Sequence, residues 1–372
     1  MVQNRRLSVL TPPVLFNTKA VMNPFKIDGI VAGADYMPRK ESEELLKYHK
    51  AGRNVLIRGP RRTGKSSLVV NTFEQVKCCF IRVDFWGVKT EAKAIEKIGR
   101  AFEPFCKKMP ILSGFNVAGV GIQWKSPEAL SSVEDLLRLA PGLHKKNPVV
   151  IFFDEFQALL DLPDADQFLG ALRSEIQAQP EVQYVFAGSN QNRLMEIFYA
   201  QRSPFFKSAA LMEVGTLEQD QFIQWLKAKF SETGRTVDPK LWDAIFELSH
   251  SIPGDMQDVC YHLWNDSEEG GAITPEGFGE TLQRVLHERA LGYEGMWNML
   301  TDNQQKVAMG LARYRGNMYA SNEFLQLCGT TSHASVKRGI EALESKDLIW
   351  MSSKHWIFSD PFFSLWISNT VD

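Results

Sequence analysis

One segment constrains the fold of this chain more than any other: Val55-Leu56-Ile57-Arg58-Gly59-Pro60-Arg61-Arg62-Thr63-Gly64-Lys65-Ser66. An apolar strand runs straight into a loop bracketed by Gly59 and Gly64, and a helical pattern starts near Lys65. The glycines let the backbone curl so that its N–H groups face an anion, and the helix N-terminus adds partial positive charge. In such a loop the lysine, Lys65, reaches the β- and γ-phosphates of a nucleotide and the hydroxyl of Ser66 takes Mg²⁺. Pro60, Arg61, Arg62 and Thr63 complete the loop, and Ser67 follows it. Arg61 and Arg62 occupy variable positions, suited either to neutralising phosphate or to solvated surface. The expected ligands are a nucleoside triphosphate and Mg²⁺.

Three further apolar runs rich in β-branched and aromatic residues, Cys79–Val83, Val149–Phe153 and Val182–Phe186, alternate with helical patterns, and Leu211–Val214 is a weaker one. Such runs read as buried parallel strands and predict a three-layer α/β domain ending near Gly215. The run at 149–153 closes on Asp154-Glu155. Two acids after a buried strand are expensive unless they lie at the open carboxyl end of the sheet, where ligands bind. Asp154 is then the carboxylate on the Mg²⁺ side, and Glu155 polarises the attacking water. The run at 182–187 ends in Gly188-Ser189-Asn190, and Asn190, with Ser189 as second choice, is the candidate to touch the γ-phosphate or the water; a turn or helix cap is the other role for these residue types.

The chain has 372 residues, which suits two or three domains. Residues 1–26 read as an extended tail with prolines, 27–215 as the α/β core, 216–292 as a small helical lid and 293–372 as a separate terminal domain. Ser42 is expected to cap a helix over Glu43–His49. In the lid, Leu217–Phe230, Pro239–Ser249 and Asp255–Asn265 have helical spacing. The terminal domain reads as a winged helix: a helix capped at Thr301-Asp302-Asn303 and ending at Arg313, a second over Asn322–Cys328, a recognition helix over Ser332–Ser345, and a wing from Leu348–Met351 and Trp356–Phe358. Val336, Ile340 and Leu343 form its inner face, with His333, Ser335, Lys337 and Arg338 pointing outward.

A recognition helix of that kind enters the DNA major groove. Positive and negative side chains balance over 301–372, however, and the chain's net charge is −2, so neither supplies the positive excess that phosphate contacts need. No run of 18 apolar residues occurs, which argues against a membrane span. The five cysteines show no metal spacing. Reduced thiols and a cytoplasmic location are expected.

The order Pro38-Arg39-Lys40-Glu41, the glycine loop, Phe152-Phe153-Asp154-Glu155-Phe156-Gln157, Ala187-Gly188-Ser189-Asn190 and Ser203-Pro204-Phe205-Phe206-Lys207 resembles the archaeal-type ATPase family within the STAND group of AAA+-related P-loop ATPases. The resemblance spans roughly residues 27–370 and implies strand order 5-1-4-3-2, a helical lid and a C-terminal winged helix. It also implies that Gly29-Ile30-Val31-Ala32-Gly33 borders the adenine, with Arg39 nearby, so Ile30, Val31 and Arg39 join the candidate nucleotide contacts. Where the family often has an arginine after Ser-Pro-aromatic-aromatic, this chain has Lys207; Arg202, just upstream, is the preferred candidate for acting on a neighbour's nucleotide. Gln257 stands in the lid region where related initiators place an arginine. A sequence like Phe115–Trp124 reads as an inserted β-hairpin, serving either a partner contact or surface elaboration.

The leading expectation is an ATP-hydrolysing switch, Mg²⁺-dependent, that acts on a protein partner or as a homo-oligomer. The alternatives are an initiator- or loader-type ATPase gripping double-stranded DNA, and a nucleotide-binding scaffold with little hydrolysis.

Overall fold

The structure is a computed structural model that describes residues 22–106, 115–117, 120–122, 132–143, 147–314, 316–352 and 354–371. The expected tail over 1–21 and parts of the 111–125 insertion lie outside the described residues.

In chain order the core holds α1 (Glu41–Lys50), β1 (Val55–Arg58), α2 (Lys65–Glu74), β2 (Cys79–Asp84), α3 (Glu91–Cys106), β3 (Phe115–Val117), β4 (Val120–Ile122), α4 (Val133–Leu137), α5 (Ala140–Leu143), β5 (Val149–Asp154), α6 (Ala165–Gln177), β6 (Val182–Ala187), α7 (Gln191–Tyr199) and β7 (Ala210–Glu213). Strands β2-β5-β6-β1-β7 form one parallel sheet. Counting only its own strands, that is the order 5-1-4-3-2 read from the other edge, as expected, with the strand leading to Asn190 between β1 and β5.

Alternation along the strands divides the core into three layers. Val55, Ile57, Val150, Phe152, Val185 and Ala187 face α1 and α2, packing on Leu45, Leu68, Val69 and Phe73. Leu56, Val149, Ile151, Phe153, Tyr184 and Phe186 face the other way, onto α3, α4, α6 and α7. Both faces are buried, so these strands read as unbroken apolar runs. Strands β3 and β4 form the expected antiparallel hairpin. Helix α1 starts at Glu41 rather than after Ser42, and Lys40 takes the cap position without a side-chain bond.

The following residues form α8 (Gln219–Glu232), β8 (Thr236–Val237), α9 (Leu241–Ser249), α10 (Pro253–Asp266), β9 (Ala272–Ile273) and α11 (Pro275–Asn298). Helix α10 begins at Pro253, which suits the first turn because its missing N–H has no partner there. The short parallel pair β8–β9 interrupts what the sequence presented as purely helical. Then come α12 (Asp302–Arg313), α13 (Asn322–Leu327), α14 (His333–Ser345), β10 (Ile349–Ser352), β11 (His355–Phe358) and α15 (Pro361–Thr370). Thr301 and Gln304 form a capping box on α12, and Ser332 caps α14. Val336, Ile340 and Leu343 are buried as expected. Ser335 turns inward instead of outward, because its hydroxyl donates to Asn303 Oδ1 at 2.5 Å.

Two findings alter the expected divisions. Helix α11 runs unbroken through residues 292 and 293, and lid and winged helix share one apolar core from Phe25 to Ile367. Tyr293 ties the two: its hydroxyl donates to Asp360 Oδ2 at 2.9 Å, and its ring packs on Phe363 and Trp366. The N-terminal segment, second, is not free after residue 22. Phe25 is buried against Phe230, Asn23 Nδ2 donates to Tyr261 O, and Gln257 Oε1 accepts Lys26 N at 3.1 Å. Gln257 is thus engaged in holding this strap.

The strap continues along α2. Val31 N donates to Ser67 Oγ at 3.0 Å, Gly33 N donates to Asn71 Oδ1 at 3.1 Å, and Asn71 Nδ2 donates to Val31 O at 2.7 Å. Asn71→Ala leaves a strap carbonyl and N–H without partners; we expect a loss of about 1–2 kcal/mol in urea unfolding, with faster amide exchange over residues 30–34.

Candidate functional site

The glycine loop joins β1 to α2 at the carboxyl end of the sheet. Gly59 is required by space: a Cβ there would penetrate the carbonyl of Val214 at the end of β7. Gly64 is required by conformation, with φ at +85°. Arg39, a buried side chain, braces the loop from behind. Its guanidinium donates to Thr63 O at 2.5 Å, to Gly215 O at 2.8 Å and to Glu41. These bonds give Arg39 a bracing role that its expected place near a base did not include. Thr63 Oγ1 donates back to Pro60 O.

Lys65 is buried, and its ammonium donates to Gly59 O at 2.8 Å and Pro60 O at 2.6 Å. Burial lowers its pKa to about 8, opposed by the nearby carboxylates of Glu155 and Asp154 and reinforced by Arg61 and Arg39. Asp154 is buried at the end of β5, and burial raises its pKa against hydrogen bonds from Arg82 and Ser66. A hydroxyl and a carboxylate joined at this point are hard oxygen donors, the kind Mg²⁺ takes. The loop and acids therefore fit a metal–phosphate ligand.

Glu155 follows in a left-handed conformation, φ 52°, unusual for a residue with a side chain. One of its oxygens, Oε2, accepts from three donors: Gln157 Nε2 at 2.5 Å, Ser189 Oγ at 2.8 Å and Ser189 N at 3.4 Å. Gly188 lies where a Cβ would overlap the amide of Gln157, so the glycine before Ser189 makes room for this bracket. The sequence marked Gln157 only as part of a quartet and gave it no role. Asn190 takes the cap position of α7. Its carbonyl caps α7 by accepting Arg193 N at 3.1 Å, and its amide donates to Asp347 Oδ1 at 3.2 Å.

Arg61 and Arg62 are not idle surface. Arg61 Nη2 lies 3.2 Å from Asp347 Oδ2, in the turn between α14 and β10, and its guanidinium stands over Trp86. Asn192 adds a bond to Glu344 at 3.0 Å. Arg61, Asn190, Asn192, Glu344 and Asp347 border a polar cleft between the loop and the winged helix, lined also by Arg58, Pro60 and Trp350. Arg62, itself at φ 61°, reaches the lid: Nε lies 2.6 Å from Asp255 Oδ1, Nη2 donates to Gly254 O at 2.7 Å, and Asp258 lies at 3.5 Å. Gly254 N in turn donates to Arg62 O, and a Cβ on Gly254 would strike Arg62. Burial pushes the Asp255 carboxyl up to about 7, against the pull of Arg62.

Arg202 and Lys207 lie apart from this cluster, on exposed turns after α7. Phe205 anchors their segment by packing between Phe156, Phe186 and Phe198. Among the described residues, neither cation is hydrogen-bonded or ion-paired to the loop. Among the described residues, no helix is long and apolar enough to cross a membrane. The described cysteine thiols are free, with Cys260 and Cys328 buried.

Comparison with known proteins agrees with this architecture. The family model described as a probable winged helix domain matches residues 291–369. No curated protein matches the chain. Among solved structures, the Walker-type ATPase of Pyrococcus abyssi is similar at 19% identity and a TM-score of 0.68, over 92% of this chain and 99% of that one. The ADP form of the Aeropyrum pernix ORC2 protein is similar at 12% identity and TM-score 0.52, over 88% and 93%. The Aeropyrum pernix ORC1 protein in complex with DNA gives 13% and 0.50, over 90% and 93%. These likenesses show the fold: a five-stranded parallel α/β core of the P-loop NTPase type, followed by a winged helix.

The buried ammonium yields a test of the site. Lys65 is charged in both folded and unfolded chains below pH 8, so its burial costs stability there, and the cost is relieved as pH rises toward the unfolded value of 10.5. Lys65→Met is expected to stabilise the ligand-free protein at pH 7 by about 1–2 kcal/mol, with the gap narrowing above pH 8, and to abolish stabilisation by ATP. Thermal unfolding across pH with and without nucleotide measures both effects.

Proposed function

We propose that this chain is an ATP-hydrolysing molecular switch of the AAA+/STAND kind, in which the occupant of the glycine loop sets how lid and winged helix sit on the core. The observation that carries the reading is that three residues of the loop and its rim are held from the other lobes: Arg62 by Asp255 and Asp258, Arg61 and Asn190 by Asp347.

In this reading the loop N–H groups and Lys65 bind the phosphates, with Ser66 and Asp154 holding Mg²⁺, which screens phosphate charge when bound. Glu155 orients the water. Asn190 meets the γ-phosphate, and Ile30 and Val31 border the base along α2. Arg61 and Asn190 are shared between the phosphate side and Asp347, so a third phosphate draws them from the winged helix. Arg202 remains the candidate for completing a neighbour's site in a homo-oligomer; a separate protein partner is the other means of output.

Glu155→Gln is expected to lower turnover by about 100-fold or more while ATP still binds. The trapped ATP complex should differ from the ADP complex in protease sensitivity over α14. Full turnover in this variant removes Glu155 from the role of base, and identical cleavage patterns remove the coupling.

A grip on double-stranded DNA is favoured by one observation: His333, Lys337 and Arg338 stay exposed on the N-terminal half of α14, while its C-terminal end faces the core. If this surface binds, the pair Lys337→Glu/Arg338→Glu should abolish a salt-sensitive mobility shift with duplex DNA. No shift by the unaltered chain at low salt rejects the grip.

A further inference from the structure

The carboxylate assigned to the metal side is already matched with a cation. Strands β2 and β5 align so that Asp84 stands directly across from Asp154. Arg82, two residues before Asp84, projects from the same face of β2. Its Nη2 donates to Asp154 Oδ2 at 2.8 Å and to Asp84 Oδ2 at 3.1 Å, and its Nε lies 3.3 Å from Asp154 Oδ2. The three side chains grade from buried to open: Asp154 is 5% exposed, Arg82 31% and Asp84 40%. Asp84 is held in place by accepting Trp86 N at 2.9 Å on its other oxygen. Asp154 Oδ1 accepts Glu155 N at 3.2 Å.

A buried carboxylate without a counter-charge is strongly destabilising, and the Arg82 guanidinium supplies that charge. The same bond occupies the oxygen and cancels the charge that would attract a divalent cation. Asp84 gives the guanidinium a second, wetter acceptor within reach, so it can leave Asp154 without losing its ion pair.

We infer that Arg82 is the resident counter-ion of Asp154 and that a divalent metal binds by displacing it onto Asp84. Arg82 is therefore a positioning residue that sets the metal concentration the site requires. The inference rests on the reading of this loop as a metal–nucleotide site. It assigns to Arg82 and Asp84 a role that the loop and the two acids do not by themselves imply.

The test is a Mg²⁺ titration of fluorescent ADP binding to the full chain, with thermal unfolding followed in parallel. Arg82→Gln should lower the Mg²⁺ midpoint by roughly tenfold, the scale on which neighbours of metal ligands act. It should also enlarge the thermal shift produced by Mg²⁺ with ADP, because the metal then replaces a missing counter-charge. Asp84→Asn removes the alternative counter-charge and should raise the midpoint by about threefold; Asp84 is exposed enough that this variant should fold even if Arg82→Gln does not. An unchanged or raised midpoint in Arg82→Gln, or no rise in Asp84→Asn, overturns the inference while leaving nucleotide binding intact. Failure of the unaltered chain to bind fluorescent ADP at any Mg²⁺ concentration instead removes the nucleotide reading and this inference with it.

Discussion

A buried ammonium is the constraint on which the site depends. Lys65 lies within the first turn of α2, out of water, and its charge must be answered by nearby groups. The carbonyls of Gly59 and Pro60 take its protons, and Asp154 and Glu155 supply the opposing charge. Those acids need compensation of their own. Arg82 and Ser66 provide it for Asp154, and Gln157 and Ser189 for Glu155. Each layer brings a steric demand, met by glycine at 59, against the end of β7, and at 188, against Gln157. One charged group thus dictates residue choice on four strands of the sheet.

The loop is also a junction. Its adjacent arginines point to different lobes, Arg61 to the winged helix and Arg62 to the lid. Both pairings are partly shielded from water, where attraction is less screened than on open surface. The Arg62 pairing carries an electrostatic tension, because Asp255, Asp258 and Asp360 crowd one region and burial opposes ionisation of Asp255. A region that holds its charges at such cost is sensitive to any ion that enters the loop.

Much of this was legible in the sequence because it is local. Strands buried on both faces show as apolar runs, a cap shows at Thr301, and the loop shows by its glycines. The acids after Val149–Phe153 stand out because a strand end is an unfavourable place for them without a ligand. What escaped is long-range or hidden by periodicity. Asp347 lies 286 positions from Arg61, and nothing in its own neighbourhood signals the pairing. Arg82 offered a faint signal, since it shares a strand face with Asp84 and β2 neighbours β5 in the expected order. Gln257 registered as a departure from a pattern, but its tie to Lys26 needs the strap's path. The division expected between residues 292 and 293 falls inside α11, whose continuity shows only in the structure.

That unbroken helix has a mechanical consequence. The 24 residues of α11 form a rod of about 36 Å, rooted in the lid beside α10 and fused at its far end to the winged helix through Tyr293 and the shared core. No slack joint separates the two lobes. A tilt of about 10° at one end moves the other tip of a rod this long by about 6 Å. A displacement of the lid is thereby carried to the winged helix through one continuous helix rather than lost in a flexible linker.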